Sequence, residues 1–228
     1  KDMEVLRDLY DRGIQNGVDA LELLDADRLR GLEPNLREDI CCGLLSPTAA
    51  IISPWEACLA FAQTAVHNGA ELFLQHEVRS ISKTQDGYRV TAAGKTFDAR
   101  YVINCAGVRA DDVYRLLSPQ DAFRIEPVKG QYYLLDKTQG GLVNRVIFQT
   151  PNELGKGVLV SQTVHGNLIV GPDAEKNIQD KSDGSVKADN LAYIRRAAAL
   201  TTEKINYREN IRKHRAYLCK KPVEFDGT

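Results

Sequence analysis

The sequence predicts an α+β (mixed α/β) protein, and three observations carry that prediction. From Ser46 to Gly107 the chain reads as strand, turn, helix, strand, meander and strand, ending on the small residues Cys105-Ala106-Gly107. After Pro119 short apolar runs are separated by Gly-rich or polar turns, and no helical period intervenes. A helical pattern then returns from about Val186 to Leu200, behind the polar stretch Glu175 to Ser185.

The elements follow in order. Val5, Leu6, Leu9, Tyr10 and Ile14 recur at helical spacing over residues 4–16, closing near Gly17. Asp25-Ala26-Asp27-Arg28-Leu29 opens a second short helix that ends before Pro34. Ser53-Pro54-Trp55-Glu56 is a helix start. Ser53 is placed to cap, Glu56 stands three residues on as in a capping box, and Pro54 falls where a missing N–H costs nothing. That helix presents Trp55, Leu59, Ala62 and Val66 on one face and stops at Asn68-Gly69. Leu72-Phe73-Leu74 then begins a strand. From Glu77 the period becomes two, with hairpin turns at Asp86-Gly87 and Gly94. Tyr101 to Cys105 is an apolar run of the kind buried in a parallel sheet, and Ala110 to Leu117 is a helix. In the second half residues 124–136, 142–149, 157–163 and 167–172 read as strands of a mainly antiparallel sheet. The last segment, Ile205 to Thr228, is basic and weakly patterned.

Composition narrows the function classes. At 228 residues the chain is long enough for a substantial core in one large or two small domains. A net charge of -1 argues against nucleic acid or an anionic membrane as partner. No apolar run approaches the ~18–20 residues of a membrane span, and no secretory leader pattern opens the chain. The start at Lys1-Asp2-Met3, already within a helical pattern, points to a chain trimmed from a longer one. The five cysteines show no C-x-x-C and no metal spacing. Cys41 and Cys42 are adjacent and pair with each other only with difficulty. A reduced, cytoplasmic setting follows.

Several segments are candidates for chemistry. A strand ending at Cys105-Ala106-Gly107 lets a ligand approach the backbone at a sheet's carboxyl end, although a tight strand-to-helix turn needs the same residues. The backbone at Val78 is placed to read an adenine edge, or is plain strand. In Pro127-Val128-Lys129-Gly130-Gln131-Tyr132-Tyr133, Lys129 offers a cation to an anionic substrate or a flavin carbonyl, or is a surface lysine. Alternation puts Gln131, Tyr133 and Leu135 on one face and Tyr132 and Leu134 on the other. His165, beside Gly166-Asn167, is either a base or a solvent-facing turn residue. Lys129, Lys156 and Lys176 are too dispersed for a phosphate cradle. There is no G-x-S-x-G and no G-x-G-x-x-G.

Four blocks in this order carry a resemblance: SPTAAIISPWEACLAFAQTAVHNGAE, YVINCAG with Ala110-Asp111, PVKGQYYLLD, and GKGVLVSQTVHGNLIVGPDAE. Together they resemble the middle of an FAD-dependent oxidoreductase of the D-amino-acid oxidase/glycine oxidase superfamily. The likeness is nearest to the branch holding glycerol-3-phosphate dehydrogenases and L-2-hydroxyglutarate oxidases. The resemblance implies part of an FAD-binding domain over residues 1–120, an antiparallel substrate (cap) domain over 121–204, and a return segment or tail over 205–228. It implies FAD as cofactor, a small anionic substrate, and an acceptor or electron-transfer partner. It assigns Val78 to the adenine side and Cys105, Ala106 and Gly107 to the ribose and pyrophosphate. Lys129 and Tyr133 fall near the ring or substrate, and Ser46 to Ile52 along the active-site approach.

The departures are specific. The G-x-G-x-x-G strand and the carboxy-terminal flavin segment are absent from this chain. Ala50 stands where the family commonly has Gly, and KHRAYLCKKPVEFDGT departs from the expected Gly-Leu-Arg pattern. The chain alone is therefore expected to bind FAD weakly or not at all and to be inactive, because a helix N-terminus normally holds the pyrophosphate. Two alternatives stay open: a binding module without flavin, and a subunit completing a flavin site on a separate chain.

Overall fold

The structure, a computed structural model, describes residues 2–118, 123–151 and 157–219. It divides into two compact units, each discontinuous in sequence.

The first unit comprises Lys1–Pro54, Lys129–Glu175 and Gly184–Ala216. Helix α1 (Asp2–Gln15) buries Leu6 and ends where Gly17 takes a positive φ of 72°. Strand β1 (Glu22–Asp25) leads into α2 (Ala26–Leu32), whose cap is the Asp25 carboxylate accepting the Arg28 N–H at 2.9 Å. Strand β2 (Cys42–Leu45) returns antiparallel to β1, in the register Glu22↔Leu45 to Asp25↔Cys42, and α1 and α2 pack on the pair. Four-residue strands split by a helix leave little period-two signal, so the sequence conceals them.

Leaving out the two strands just described, the unit's sheet has the order β7-β8-β6-β9, with β6 at Pro127–Leu135, β7 at Leu159–Gln162, β8 at Leu168–Gly171 and β9 at Asn210–Cys219. β6 and β7 both pair antiparallel with β8, at Tyr133↔Val170 and Val160↔Val170. Helix α5 (Ala188–Ala198) lays Leu191, Ile194 and Ala198 into a core with Leu135, Val160 and Leu168. Two expectations are corrected here. Residues 142–149 are not a strand. The Leu142 carbonyl accepts from Asn35 at 2.9 Å and the Asn144 N–H donates to Glu33 at 2.8 Å, leaving a single bridge, Ile147↔Val160. A 3-10 turn at Lys137–Leu142, not a simple Gly-rich turn, follows β6. The basic tail, weakly patterned in sequence, contributes β9.

The second unit comprises Trp55–Val128, Lys176–Asp183 and Tyr217–Thr228. Helix α3 (Pro54–His67) begins at the expected proline and stops before Gly69, which has a φ of 90°. The meander is β3 (Val78–Lys83), β4 (Tyr88–Ala92) and β5 (Lys95–Ala99), antiparallel in sequence order. Its turns fall at Asp86-Gly87 and at Ala93-Gly94, where both residues have positive φ (48° and 75°), the backbone that a two-residue hairpin demands. Helix α4 (Ala110–Leu117) packs on β3.

The expected strands at Leu72-Phe73-Leu74 and Tyr101 to Cys105 do not form. Tyr101 is 83% and Ile103 85% exposed. A strand exists only through its ladder, and among the described residues none pairs with either run. Likewise α3 has no buried residue, and Trp55, Leu59 and Phe61 face solvent.

Candidate functional site

In the second unit the residues expected at a cofactor form a braced turn. The Asn104 side chain accepts from the Ala106 N–H at 3.2 Å and donates to the Ala110 carbonyl at 2.7 Å. It thereby ties the end of the apolar run to the first residue of α4. Between these anchors Cys105, Ala106 and Gly107 are exposed. Gly107 has a φ of +58°, and a Cβ there would meet nothing within 4 Å, so the demand for glycine is conformational and the space before it is open. A 3-10 turn, Gly107–Arg109, leads into α4. Val78 opens β3, opposite Ala92 and beside a bulge between Val78 and Ser80. The packing of α4 on β3 keeps this strand and the turn in one unit. A small-residue backbone wall with open space before it fits one edge of a dinucleotide; no pyrophosphate-gripping loop accompanies it in the sequence.

Asp111, the second residue of α4 and not among the expected site residues, is 1% exposed. It pairs with Lys181 and, at 2.8 Å, with Arg115, and accepts the Ile125 N–H at 3.1 Å. Burial pushes its carboxyl up, but the hydrogen bonds from Lys181 and Ile125 and the two cations outweigh that and hold it below the usual carboxylate range. Arg109 reaches Ser182, so residues 181 and 182 are clasped to both ends of this turn-helix junction.

In the first unit Lys129 is not a surface residue: it is fully buried. Its ammonium pairs with Glu175 at 3.2 Å, and Lys187 reaches the same carboxylate from solvent. Gln131, also fully buried, receives the Lys187 N–H at 2.6 Å and donates to Asp173 at 3.2 Å and to Glu175 at 3.1 Å. Asp173 in turn takes the Gln131 N–H at 2.6 Å and the Asn190 side chain. Burial raises the Glu175 carboxyl, yet the hydrogen bonds and charges of Lys187 and Lys129 prevail and lower it. The cation expected to meet a substrate is thus neutralised within the protein. Alternation on β6 is as read: Gln131, Tyr133 and Leu135 are buried, and Tyr132 and Leu134 half-buried.

Tyr133 lies in the core, 7% exposed, with its hydroxyl donating to the Leu191 carbonyl at 3.4 Å and its ring edge-on to Tyr207 at 4.8 Å. Burial raises its phenol. Ser46 and Ile52 bound an irregular segment after β2. Ser46 is half-buried, Ile52 is 72% exposed, and Ser53 is buried at the start of α3. His165 is exposed in the β7–β8 turn, and Lys156 lies outside the described residues. Asp173 and Glu175 had one sequence signal, a D-x-E spacing that mirrors Lys129-x-Gln131 on β6.

Comparisons with known proteins concern the chain as a whole. A family model described as FAD dependent oxidoreductase (DAO) matches residues 1–219. A glycerol 3-phosphate dehydrogenase of Caloramator mitchellensis is 47% identical over 193 residues, covering 85% of this chain and 40% of that protein. An L-2-hydroxyglutarate dehydrogenase of Escherichia coli (strain K12) is 30% identical over 176 residues, covering 76% and 41%. Among solved structures, the L-alpha-glycerophosphate oxidase of Mycoplasma pneumoniae with FAD bound superposes with a TM-score of 0.86 at 27% identity, covering 95% of this chain and 58% of that one. The chain thus spans well under two thirds of the length of these relatives.

Proposed function

The chain belongs to the DAO family of FAD-dependent oxidoreductases, and from that premise we propose that it is the central portion of a flavin enzyme. The proposed reaction oxidises glycerol 3-phosphate or a small hydroxy- or amino-substituted acid. FAD, when bound, supplies the acceptor for the hydride removed from the substrate carbon. This chain's part is to present backbone: Val78 on the adenine side, and Cys105, Ala106 and Gly107 along the ribose and pyrophosphate. The braced turn Asn104–Ala110 is the observation that carries the reading, because it holds small residues exposed without needing the ligand to order them.

For the substrate side we propose Ser46 to Ile52 as the approach and β6 as its support. Lys129 and Tyr133 act there by fixing the strand, Lys129 through Glu175 and Tyr133 through the core. The substrate is anionic, and an acceptor or electron-transfer partner removes the electrons. The chain's proposed setting is the cytoplasm, where thiols stay reduced. The 228-residue chain alone, lacking G-x-G-x-x-G, binds FAD weakly and is inactive.

The test has two arms. The full-length protein encoded by the parent reading frame should purify yellow and be bleached anaerobically by glycerol 3-phosphate faster than by L-2-hydroxyglutarate or glycine. The 228-residue chain should show no stoichiometric uptake of FAD in a titration. A colourless full-length protein that takes up no FAD refutes the assignment, and tight FAD binding by the short chain refutes the half-site.

A further inference from the structure

Cys41 and Cys42 are sequence neighbours whose sulfurs lie 3.8 Å apart. Successive side chains in a strand point to opposite faces. Cys42 is the first residue of β2, and Cys41 lies just outside it. The alternation therefore does not bind Cys41, and the two sulfurs come together. Both thiols are reduced; Cys41 is exposed and Cys42 half-buried. Neither has a part in the proposed oxidation. Cys42 is the register partner of Asp25, the residue that caps α2. A change at the cysteines thus falls directly opposite a helix start.

We propose that Cys41 and Cys42 form a reversible vicinal dithiol switch, closed by a hydroperoxide into an eight-membered disulfide ring. The exposed Cys41 thiolate attacks a peroxide oxygen and the O–O bond breaks. With hydrogen peroxide this yields the Cys41 sulfenic acid and one water. The Cys42 sulfur then displaces the sulfenic hydroxyl, forming the S–S bond and releasing a second water. Two thiols are oxidised by two electrons in all, and the peroxide is reduced to two waters. Adjacent Cα atoms are about 3.8 Å apart across a trans peptide, less than the roughly 4.4–6.8 Å of ordinary disulfides. The ring is consequently strained and readily reopened by a dithiol reductant, the property of a regulatory bond rather than a structural one. Its closure pulls the first residue of β2 against its pairing with Asp25, so the α2 cap is the element that responds.

The experiment uses the 228-residue chain with Cys58, Cys105 and Cys219 each changed to Ser, leaving only the pair. Stoichiometric hydrogen peroxide should lower the intact mass by about two units, the two hydrogens lost in closing the ring, and dithiothreitol should restore it. Phenylarsine oxide, which condenses with two thiols and releases water, should add one equivalent to the reduced form and none to the oxidised form. Cys41→Ser should abolish both responses. The proposal is overturned if oxidation stops at added oxygen, if it yields only disulfide-linked dimers, or if Cys41→Ser leaves the mass loss intact. Should the triple variant not fold, peptide mapping of the unaltered chain decides. The two-unit loss must then lie on the peptide carrying Cys41 and Cys42 with Cys58 still alkylatable, and a loss shared with Cys58 overturns the proposal.

Discussion

Lys129 and Glu175 are joined twice: each backbone N–H donates to the other's carbonyl at 2.9 Å, and the Lys129 ammonium meets the Glu175 carboxylate at 3.2 Å. The backbone bridge continues the β6 edge beyond β8, and the ion pair locks it. Lys129 is fully buried and Glu175 12% exposed, so the pair is largely desolvated. Removing the carboxylate takes a counter-charge from an ammonium held in a low dielectric. Glu175→Gln, which takes away the carboxylate facing a buried ammonium, is expected to destabilise the first unit by about 3–5 kcal/mol. Lys129→Met should cost less, because Lys187 still pairs with the Glu175 carboxylate, and the double variant should cost less than the sum of the two. Urea titrations of the four proteins check this; additivity would show that the two side chains act separately.

The same carboxylate sets an acid response. Its pKa is lowered on folding. Its contribution is therefore complete above the ordinary carboxylate range and is lost as pH falls through the depressed folded value. Stability measured downward from pH 6 should fall more gently in Glu175→Gln than in the parent chain. An equal slope in both would assign the acid limb to other groups.

Asp111 makes an analogous prediction for the second unit. Asp111→Ala removes the acceptor of the Ile125 N–H and leaves Lys181 and Arg115 without their shared buried carboxylate. Asp112 still pairs with both cations, so a loss of about 1–3 kcal/mol is expected, with faster hydrogen exchange across α4 and residues 123–126. Unchanged exchange in α4 would show that the clasp is decorative.

Two neighbouring glycines separate backbone need from sequence habit. A Cβ on Gly140 would come within 1.9 Å of the Gly166 carbonyl oxygen, whereas one on Gly141 meets nothing within 4 Å. Gly140→Ala should cost at least about 1–3 kcal/mol, since the clash is with backbone that has no rotamer to yield. Gly141→Ala should be close to neutral. Thermal melts of the two variants check the difference, and equal melting temperatures would contradict the close approach of the two turns.

Helix α3 predicts a surface behaviour. Trp55 is 72%, Leu59 62% and Phe61 77% exposed, and an open groove of about 390 Å³ is lined by Leu59, Ala62, Val66 and Leu72. Exposed apolar area of this kind binds hydrophobic dyes and promotes association. The chain should enhance ANS fluorescence and elute early in size exclusion, both reduced by Leu59→Glu. Leu59→Glu protein with undiminished dye binding would place the sticky surface elsewhere.

What the sequence made legible follows from how local each signal is. Pro54 after Ser53, Asp25 before α2, and Ala93-Gly94 in the meander each act within a few residues, and each element formed where expected. Leu72-Phe73-Leu74 and Tyr101 to Cys105 carry equally clear apolar runs, yet a strand needs a partner that composition does not name. Residues 142–149 failed for the opposite reason: their polar groups found Glu33 and Asn35, more than a hundred positions away, a preference no period reports. At the candidate site the turn Cys105-Ala106-Gly107 was readable because small residues are themselves the signal. The burial of Lys129 was not readable, because its cause is Glu175 on another segment.

The interleaving of the two units bears on how the chain is made. Residues 55–128 leave the ribosome as one stretch and hold the meander, α4 and nearly all of α3, so most of the second unit can assemble before residue 129 is made. The first unit cannot. Its opening third must wait for the bond between Glu33 and Arg145, 112 residues apart, and then for α5. During that interval Glu33, buried in the finished unit, lacks the Asn144 N–H and the Arg145 guanidinium that it pairs with. That nascent segment is the part of the chain that stays incomplete longest after it is made.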